Sequence, residues 1–375
     1  MMRFSTLIRH PADWMIGGSV DNAVVLTSRI RLARNLKLVP FPGWATAEQR
    51  RLAMEQMLPV IQDLRQMKDA FAQSLSGLTA VQKQVLVERH LISREHAART
   101  EGSAAVIERR QSLSIMVNEE DHLRMQSIRS GLNLRVAFDA LNEVDDELQQ
   151  RLPFAFDRKL GYLTTCPTNL GTGLRASAML HLPALVISDQ IGQVLNAIGR
   201  MGLAVRGLYG EGTESLGNLY QISNQSTLGE AELKIIEHLE RVIAHVAMHE
   251  ANARLKLLED EAVMLHDKMG RSFGILQHAW LIDSKEALNH LSVLRLGANL
   301  GFFPKETVRL CDTLLMEIQP AHLQLNVGMK LSPEQRDERR AQIIRQHLQN
   351  VPAPVKVSPQ PKNLPFSDPP ETPEL

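Results

Sequence analysis

The segment Cys166-Pro167-Thr168-Asn169-Leu170-Gly171-Thr172-Gly173-Leu174-Arg175 sets one thiol nine residues before an arginine, across a turn-prone loop with two glycines. Pro167 and Asn169 favour a turn, and Gly171 and Gly173 would let backbone N–H groups approach a bound anion closely. Arg175 would then fork onto phosphate oxygens as the chain enters a helix over residues 172–182. A lone cysteine serves equally well as a small packing residue. Here Thr168 offers a hydroxyl two residues on, and nearby cations would lower the thiol pKa.

Three other segments carry charge in patterns suited to phosphoryl transfer. In Thr27-Ser28-Arg29-Ile30-Arg31 the two arginines share one side of a strand, so they can clamp one polyphosphate. Alone, such a pair reads as solvated surface. Asn118-Glu119-Glu120-Asp121-His122-Leu123-Arg124 crowds three carboxylates against a histidine and an arginine. Adjacent acids repel one another unless a cation sits nearby, although an acidic turn is the ordinary reading. The segment 206–215 begins at Arg206, includes Glu211, and starts a run with glycines at 207, 210, 212 and 217. It suits a flexible hairpin or a lid over a site. There is no Gly-x-x-x-x-Gly-Lys-Ser/Thr loop and no protein-kinase motif set, so arginines would have to hold the phosphates.

Taken together and in this order, these motifs resemble those of the ATP:guanidino phosphotransferases, the family of creatine and arginine kinases. The resemblance implies ATP and Mg²⁺ as cofactors, with the nucleotide on Thr27, Ser28, Arg29, Ile30 and Arg31, on Arg124, and on Arg175, Ala176, Ser177, Ala178 and Met179. It extends the nucleotide site to Arg206, Gly207, Leu208, Tyr209 and Gly210, and to His90, which by itself is an ordinary structural histidine. Glu120 and Glu211 would grip the acceptor guanidinium, and Glu120 would help deprotonate it. Cys166 would position the substrate without covalent attack. A guanidinium is protonated at any ordinary pH, so a carboxylate that accepts its proton as the N–P bond forms is a chemical need. Mg²⁺ would ride on phosphates and waters, with no metal site of the protein's own.

The motif carrying the arginine pair begins at residue 28, so the helical domain that precedes it in creatine and arginine kinases is not expected here. In this the chain is similar to the bacterial protein-arginine kinases, as it is in the segments 86–93 and 206–228. That branch implies transfer of the ATP γ-phosphoryl group to arginine side chains of proteins. It also implies a phosphoarginine-binding motif at Arg336, Asp337, Arg340 and Ala341, where a charged helix surface would otherwise be the reading. Implied partners are protein substrates, a Clp chaperone–protease for which they are marked, a zinc-binding activator and a heat-shock repressor in a stress response, with a homodimer as the assembly. A small-molecule guanidino kinase and a phosphoarginine-binding adaptor are the alternatives. Thr27 for serine, Arg94 for proline and Ala178 for valine are departures that remove no proposed catalytic group.

The elements that would position these residues read as α+β. Short apolar runs at 22–27, 113–117, 160–165, 203–208 and 218–223 suggest strands of a largely antiparallel sheet flanked by helices. Thr46 and Gln49 are spaced as a capping box opening a helix to about Lys68. After Gly229 the apolar spacing turns helical, with breaks expected near 270–274 and 297–304. The expected divisions are a catalytic domain over 20–254, a helical domain over 255–350 and a disordered Pro-rich tail over 351–375, where eight prolines fall.

The 42 basic and 42 acidic residues cancel, so no global field recruits nucleic acid or an anionic membrane. Two cysteines, Cys166 and Cys311, give no disulfide framework and suit a reducing compartment. No apolar run reaches membrane-spanning length, and the N-terminus lacks a leader pattern, so a soluble cytoplasmic protein is expected.

Overall fold

Strict alternation along a few central strands organises the molecule, sending apolar side chains to one face and arginines to the other. The computed structural model describes residues 2–16, 23–207 and 215–357. Helices α1 (Phe4–Arg9) and α2 (Asp13–Ile16) lead to β1 (Val25–Arg34). Then come α3 (Ala47–Gln62), β2 (Phe71–Ser74), α4 (Ala80–Glu88) and α5 (Arg94–Ala97). A meander of β3 (Ala104–Ile107), β4 (Leu113–Val117) and β5 (Leu123–Ser130) is followed by α6 (Leu134–Arg151) and the small hairpin of β6 (Phe156–Asp157) and β7 (Gly161–Tyr162). Next are β8 (Leu174–His181), α7 (Pro183–Ile187), α8 (Ile191–Arg200), β9 (Leu203–Gly207) and β10 (Leu219–Asn224). The remainder is helical: α9 (Glu232–Asp260), α10 (Ala262–His278), α11 (Ser284–Asn299), α12 (Glu306–Glu317), α13 (Pro320–Val327) and α14 (Pro333–Leu348).

The main sheet has eight strands in the order β2-β3-β4-β5-β1-β8-β10-β9, all paired antiparallel. The fold is therefore α+β with an antiparallel sheet and a helical C-terminal half. Ile30 and Leu32 of β1, Met125 of β5, and Ala176 and Leu180 of β8 are buried in one continuous core. Helix α6 packs over β1 and β5, and α9 over β8 and β10. Burying each Leu or Ile contributes about 1.5–3 kcal/mol, which leaves the opposite face free to carry polar groups.

Several local expectations hold. Thr46 accepts from the Gln49 N–H and Gln49 reciprocates, so the capping box opens α3 as read. That helix ends at Gln62, and a single 3₁₀ turn, Arg65–Met67, follows it. Among the described residues no helix is long and apolar enough to cross a membrane.

Others need correction. Residues 172–182, expected as a helix, form strand β8, hydrogen-bonded to β1 on one side and β10 on the other. Gly171 and Gly173 adopt positive φ (107° and 66°), and the Ala33 N–H donates to the Gly173 carbonyl at 3.0 Å. A Cβ on Gly173 would come within 2.6 Å of the Ala33 carbonyl oxygen. These glycines thus permit close backbone packing that leads the chain into the sheet, and the helix propensity of Ala176 and Ala178 yields to pairing with two flanking strands. The run 160–165 contributes only the two-residue β7. Gly270 and Gly274 lie inside α10, and the chain turns instead at Glu261 and at residues 279–283. The division drawn after residue 254 falls within α9, which runs unbroken to Asp260. The tail drawn from Val351 begins with residues that pack: Val351 and Val357 lie against the core, and the Val355 N–H donates to the Phe302 carbonyl at 2.9 Å. Residues 358–375 lie outside those described.

One buried cation ties the Cys166 loop to the sheet. Arg34 is 1% exposed and grips Asp145 of α6 through both carboxylate oxygens, the shortest contact being 2.6 Å. Its Nη1 also donates to the carbonyls of Ala33 and Thr172, each at 2.9 Å, while Tyr162 lies 3.5 Å across its face. Truncating one partner leaves the other charged and buried, so Asp145→Ala should lower unfolding free energy in urea by about 3–5 kcal/mol. A loss below about 1 kcal/mol, the size of a surface pair, would show that Arg34 is not stabilised in this way.

Candidate active site

Four strands deliver the arginines to the open face of the sheet. Arg124 comes from β5, Arg29 and Arg31 from β1, Arg175 from β8 and Arg206 from β9. The register sets Arg31 directly opposite Arg175, and Arg29 opposite Ser177 and Ile128. Directly opposed like charges destabilise a sheet. All five guanidinium groups line one cleft of about 930 Å³ together with Glu120, Cys166, His90 and Gly207.

The charge there is only partly neutralised. Glu119, 1% exposed, holds Arg124 at 2.6 and 2.7 Å and also accepts from Ser93 at 2.5 Å. Burial would raise the Glu119 carboxyl, but Arg124 and Ser93 keep it below the usual carboxylate range. Arg29 donates to Gln221 at 3.0 Å and Arg175 to Ser223 at 3.2 Å, both neutral partners. Arg31 has no ion pair, and its Nε and that of Arg175 are buried without a hydrogen-bond partner among the described residues. Burial and then Arg124 and Arg175 lower the Arg29 guanidinium to about 10. Burial, followed by Arg29, Arg124 and Arg175, drives Arg31 well below its ordinary value. Orphaned donors on crowded cations fit an anion with many oxygens, which a triphosphate supplies.

Glu120 lies at the edge of this field. Burial, Asp121 and Glu119 raise its pKa, against the pull of Arg124. A carboxylate with raised proton affinity is the better proton acceptor at neutral pH. Asp121, the third acid of the cluster, is buried and already used. It accepts from Asn35 at 2.6 Å and from the Thr165 N–H at 2.7 Å, while the Thr165 hydroxyl donates to the Glu120 carbonyl at 3.0 Å. The acidic turn and the Cys166 loop are thereby laced together. Cys166 Sγ lies 3.0 Å from the Thr168 hydroxyl and close enough to Arg175 to act on its charge.

His90 adopts φ 58°, stacks at a tilt on Trp14 with 5.6 Å between ring centroids, and is lowered to about 3 by burial and by Arg29. It is therefore a neutral ring on the cleft wall. Thr27, Ser177 and Met179 border a small adjoining hollow with Trp14 and Gln221. Ser28, Ile30, Ala176 and Ala178 are buried on the other face, of which only Ala178 also touches that hollow. Carrying over whole stretches therefore took in alternate residues that a strand must turn away. Leu208, Tyr209, Gly210 and Glu211 lie outside the described residues.

The motif on α14 is split. Arg336 lines the same cleft as the five arginines of the sheet. Arg340 is 1% exposed, paired with Asp337 at 2.5 Å and donating to the carbonyls of Ile282 and Ile318 at 2.8 and 3.2 Å. Ala341 is buried beside it. The two arginines, expected in one phosphoarginine-binding motif, thus have different surroundings. Sequence reading missed Gln221, Ser223 and Asn35; their signal was the polar alternation in β10 and an asparagine next to a buried arginine.

Comparison with known proteins follows the same lines. The family described as ATP:guanido phosphotransferase, C-terminal catalytic domain, matches residues 53–253, and the Protein-arginine kinase McsB C-terminal domain matches residues 262–359. The chain is 44% identical to a protein-arginine kinase of Halothermothrix orenii over 340 residues, covering 91% of this chain and 97% of that one. It is likewise 44% identical to one of Brevibacillus brevis, covering 91% and 96%. Among solved structures it resembles a lombricine kinase (TM-score 0.55, 25% identity, 63% of this chain and 68% of that one). It also resembles the duplicated taurocyamine kinase of Schistosoma mansoni with bound transition-state analogue components (TM-score 0.57, 22% identity, 80% and 49%).

The crowding of cations has a thermodynamic signature. Arg31→Gln keeps the stem and removes the charge, so it should stabilise the nucleotide-free protein by about 0.2–1 kcal/mol. It should also shrink the rise in melting temperature that MgATP produces. Scanning calorimetry with and without MgATP checks both, and an unchanged nucleotide shift would remove Arg31 from the binding set.

Proposed function

The chain belongs to the ATP:guanido phosphotransferase family, among its protein-arginine kinases, and from that premise we propose which of its groups carry the reaction. Arg29, Arg31, Arg124, Arg175 and Arg206 hold the triphosphate of ATP. Glu120 receives the acceptor guanidinium, with Cys166 packed against it and Glu211 as its second carboxylate. The carrying observation is the set of only partly neutralised arginines converging beside a carboxylate of raised proton affinity.

In this reading an Nω lone pair of the acceptor arginine attacks the γ-phosphorus. The N–P bond forms as the bond to the β,γ-bridging oxygen breaks, and that oxygen leaves with the electron pair on ADP. The proton released from nitrogen passes to the Glu120 carboxylate. Arginines fixed on strands stabilise charge as it spreads over the γ-oxygens, with little reorganisation. Mg²⁺, when bound with the nucleotide, would be held by phosphate oxygens and waters and would add charge neutralisation. Orphaned Nε–H donors on Arg31 and Arg175 support the fit of such a polyphosphate.

The acceptor is an arginine on a protein. The cleft, about 930 Å³, lies at the upper end of the roughly 300–1,000 Å³ typical of small-ligand sites and is open to solvent, which supports a nucleotide sharing it with a protruding side chain. The role of the product as a mark for a Clp-type protease, the zinc-binding activator and heat-shock repressor as partners, the homodimer and the cytoplasmic location are supported by the sequence resemblance. Phosphoarginine recognition at Arg336, Asp337, Arg340 and Ala341 has the same support; in the conformation described, Asp337 is already occupied by Arg340.

The test is incubation with ATP and a loosely structured, arginine-rich protein, followed by mass spectrometry for acid-labile phosphate on arginine. Glu120→Ala should lower kcat by about a hundred- to ten-thousandfold. Labelling of free arginine or creatine alone would overturn the protein-acceptor assignment. A pH profile gives a second check. Glu120 accepts a proton only when ionised, so kcat/KM for the acceptor should fall as pH drops through its raised pKa. The acid limb should then lie above the ordinary Glu value of about 4.3; a limb below it would exclude Glu120 as the proton acceptor.

A further inference from the structure

A protein acceptor sends one side chain into the cleft, so the residues flanking that arginine must rest on the surface around Glu120. Beside the acidic turn this surface is apolar. The segment 36–45, which joins β1 to α3, holds Leu38 at 95% exposure and Trp44 at 86%. Single exposed apolar side chains need no explanation, but two on one firmly anchored loop do. Lys37 is the only charged residue of the segment. On the adjoining turns of α3, Glu48, Arg51 and Glu55 are paired with one another.

The loop is held by the acidic turn itself. The Leu36 N–H donates to His122 Nδ1 at 3.2 Å, and the same ring is hydrogen-bonded to the Pro40 carbonyl. Phe41 sets its ring edge-on against that imidazole, with 6.1 Å between centroids. The N–H groups of Trp44 and Ala45 donate to the Phe41 carbonyl at 2.8 and 2.9 Å, and Arg50 closes the turn by donating to the Ala45 carbonyl at 2.6 Å. At the base of the loop, Asn35 donates to Asp121 at 2.6 Å and to the Leu163 carbonyl at 3.1 Å. Leu38 is kept at φ 62°, a conformation leucine seldom takes, with its side chain in water.

His122 is the second residue after Glu120, so their Cα atoms are at most about 7 Å apart. The apolar loop is therefore continuous with the turn that receives the acceptor. At about 3.3 Å per residue, an extended chain covers the roughly 10–20 Å from Glu120 to such a surface in about three to six residues.

We propose that Leu38 and Trp44 form a docking surface for the acceptor polypeptide, which takes apolar side chains a few residues away from the phosphorylated arginine. The inference rests on the protein-acceptor reading given above. It makes the two residues specificity determinants that act through the flanking chain, since neither lines the cleft where the reacting atoms meet. Covering their exposed surface favours binding, and ordering the peptide offsets part of that gain.

The test uses the full chain, saturating MgATP and two unstructured peptides with one central arginine. They differ only in carrying leucine or serine at the third to sixth residues on both sides. The wild type should favour the leucine peptide in kcat/KM by roughly tenfold, chiefly through KM. The double variant Leu38→Asn, Trp44→Ser should lose the preference, with the KM for ATP and the rate on the serine peptide unchanged. Trp44→Phe alone should keep it. Both side chains are exposed, so the melting temperature of the double variant should stay close to that of the wild type. Equal kcat/KM on the two peptides in the wild type, or a preference that survives the double variant, overturns the proposal. So does an equal loss on both peptides, which would mark a structural role. Sedimentation adds a further arm: if the double variant dissociates a wild-type oligomer, the surface joins copies of this chain and the proposal is overturned. If neither peptide is phosphorylated while a small guanidino compound is, the protein-acceptor reading fails and takes this inference with it.

Discussion

Mutual repulsion among arginines on one face of the sheet is the constraint around which the protein is arranged. Arg31 and Arg175 are cross-strand neighbours, and Arg29, Arg124 and Arg206 surround them. No sequence selected for stability alone would put like charges at directly opposed sheet positions. The opposite face compensates: Ile30, Leu32, Met125, Ala176 and Leu180 are sealed in a core under α6 and α9. Glu119 neutralises one arginine, while Gln221 and Ser223 orient two others without removing their charge. What remains is stored positive potential that a polyanion can discharge.

The acidic side of the reaction is separated by the same economy of roles. Three consecutive acids face three different tasks because their surroundings differ. Glu119 is saturated by Arg124 and Ser93, Asp121 by Asn35 and the Thr165 N–H, and only Glu120 is left half-buried in the cleft. Its raised proton affinity follows from burial and from the two carboxylates beside it. Position along three residues of chain thus decides which acid holds structure and which can take a proton.

Much of this was legible in the sequence. The spacing Arg29-x-Arg31 placed both groups on one strand face, and the block from Asn118 to Arg124 marked the acidic turn. The strand at 113–117 and the capping box at Thr46 were also readable, since each depends on neighbours close in sequence. Failures came where distant partners decide. Residues 172–182 became a strand because β1 and β10 flank them, and no local pattern in Ala176-Ser177-Ala178 states that. Gly270 and Gly274 stay helical because packing of α10 outweighs their propensity. The burial of Arg340 and the engagement of Asp121 depend on partners dozens of residues away, as with Ile282 and Asn35.

The joint between Glu88, Arg89 and His322 bears on how such an enzyme can be rearranged by evolution or by engineering. Glu88 and Arg89 immediately precede His90 on the cleft wall; the Glu88 carboxylate is bonded to a helix from the far end of the chain, and Arg89 donates through Nε to the same helix. Cutting away the C-terminal helices would strand the buried Glu88 carboxylate beside the cleft. The portion bearing the arginine cage is therefore not a transplantable cassette. Recombination that joined it to a new C-terminal partner would have to bring a replacement plug for this seam.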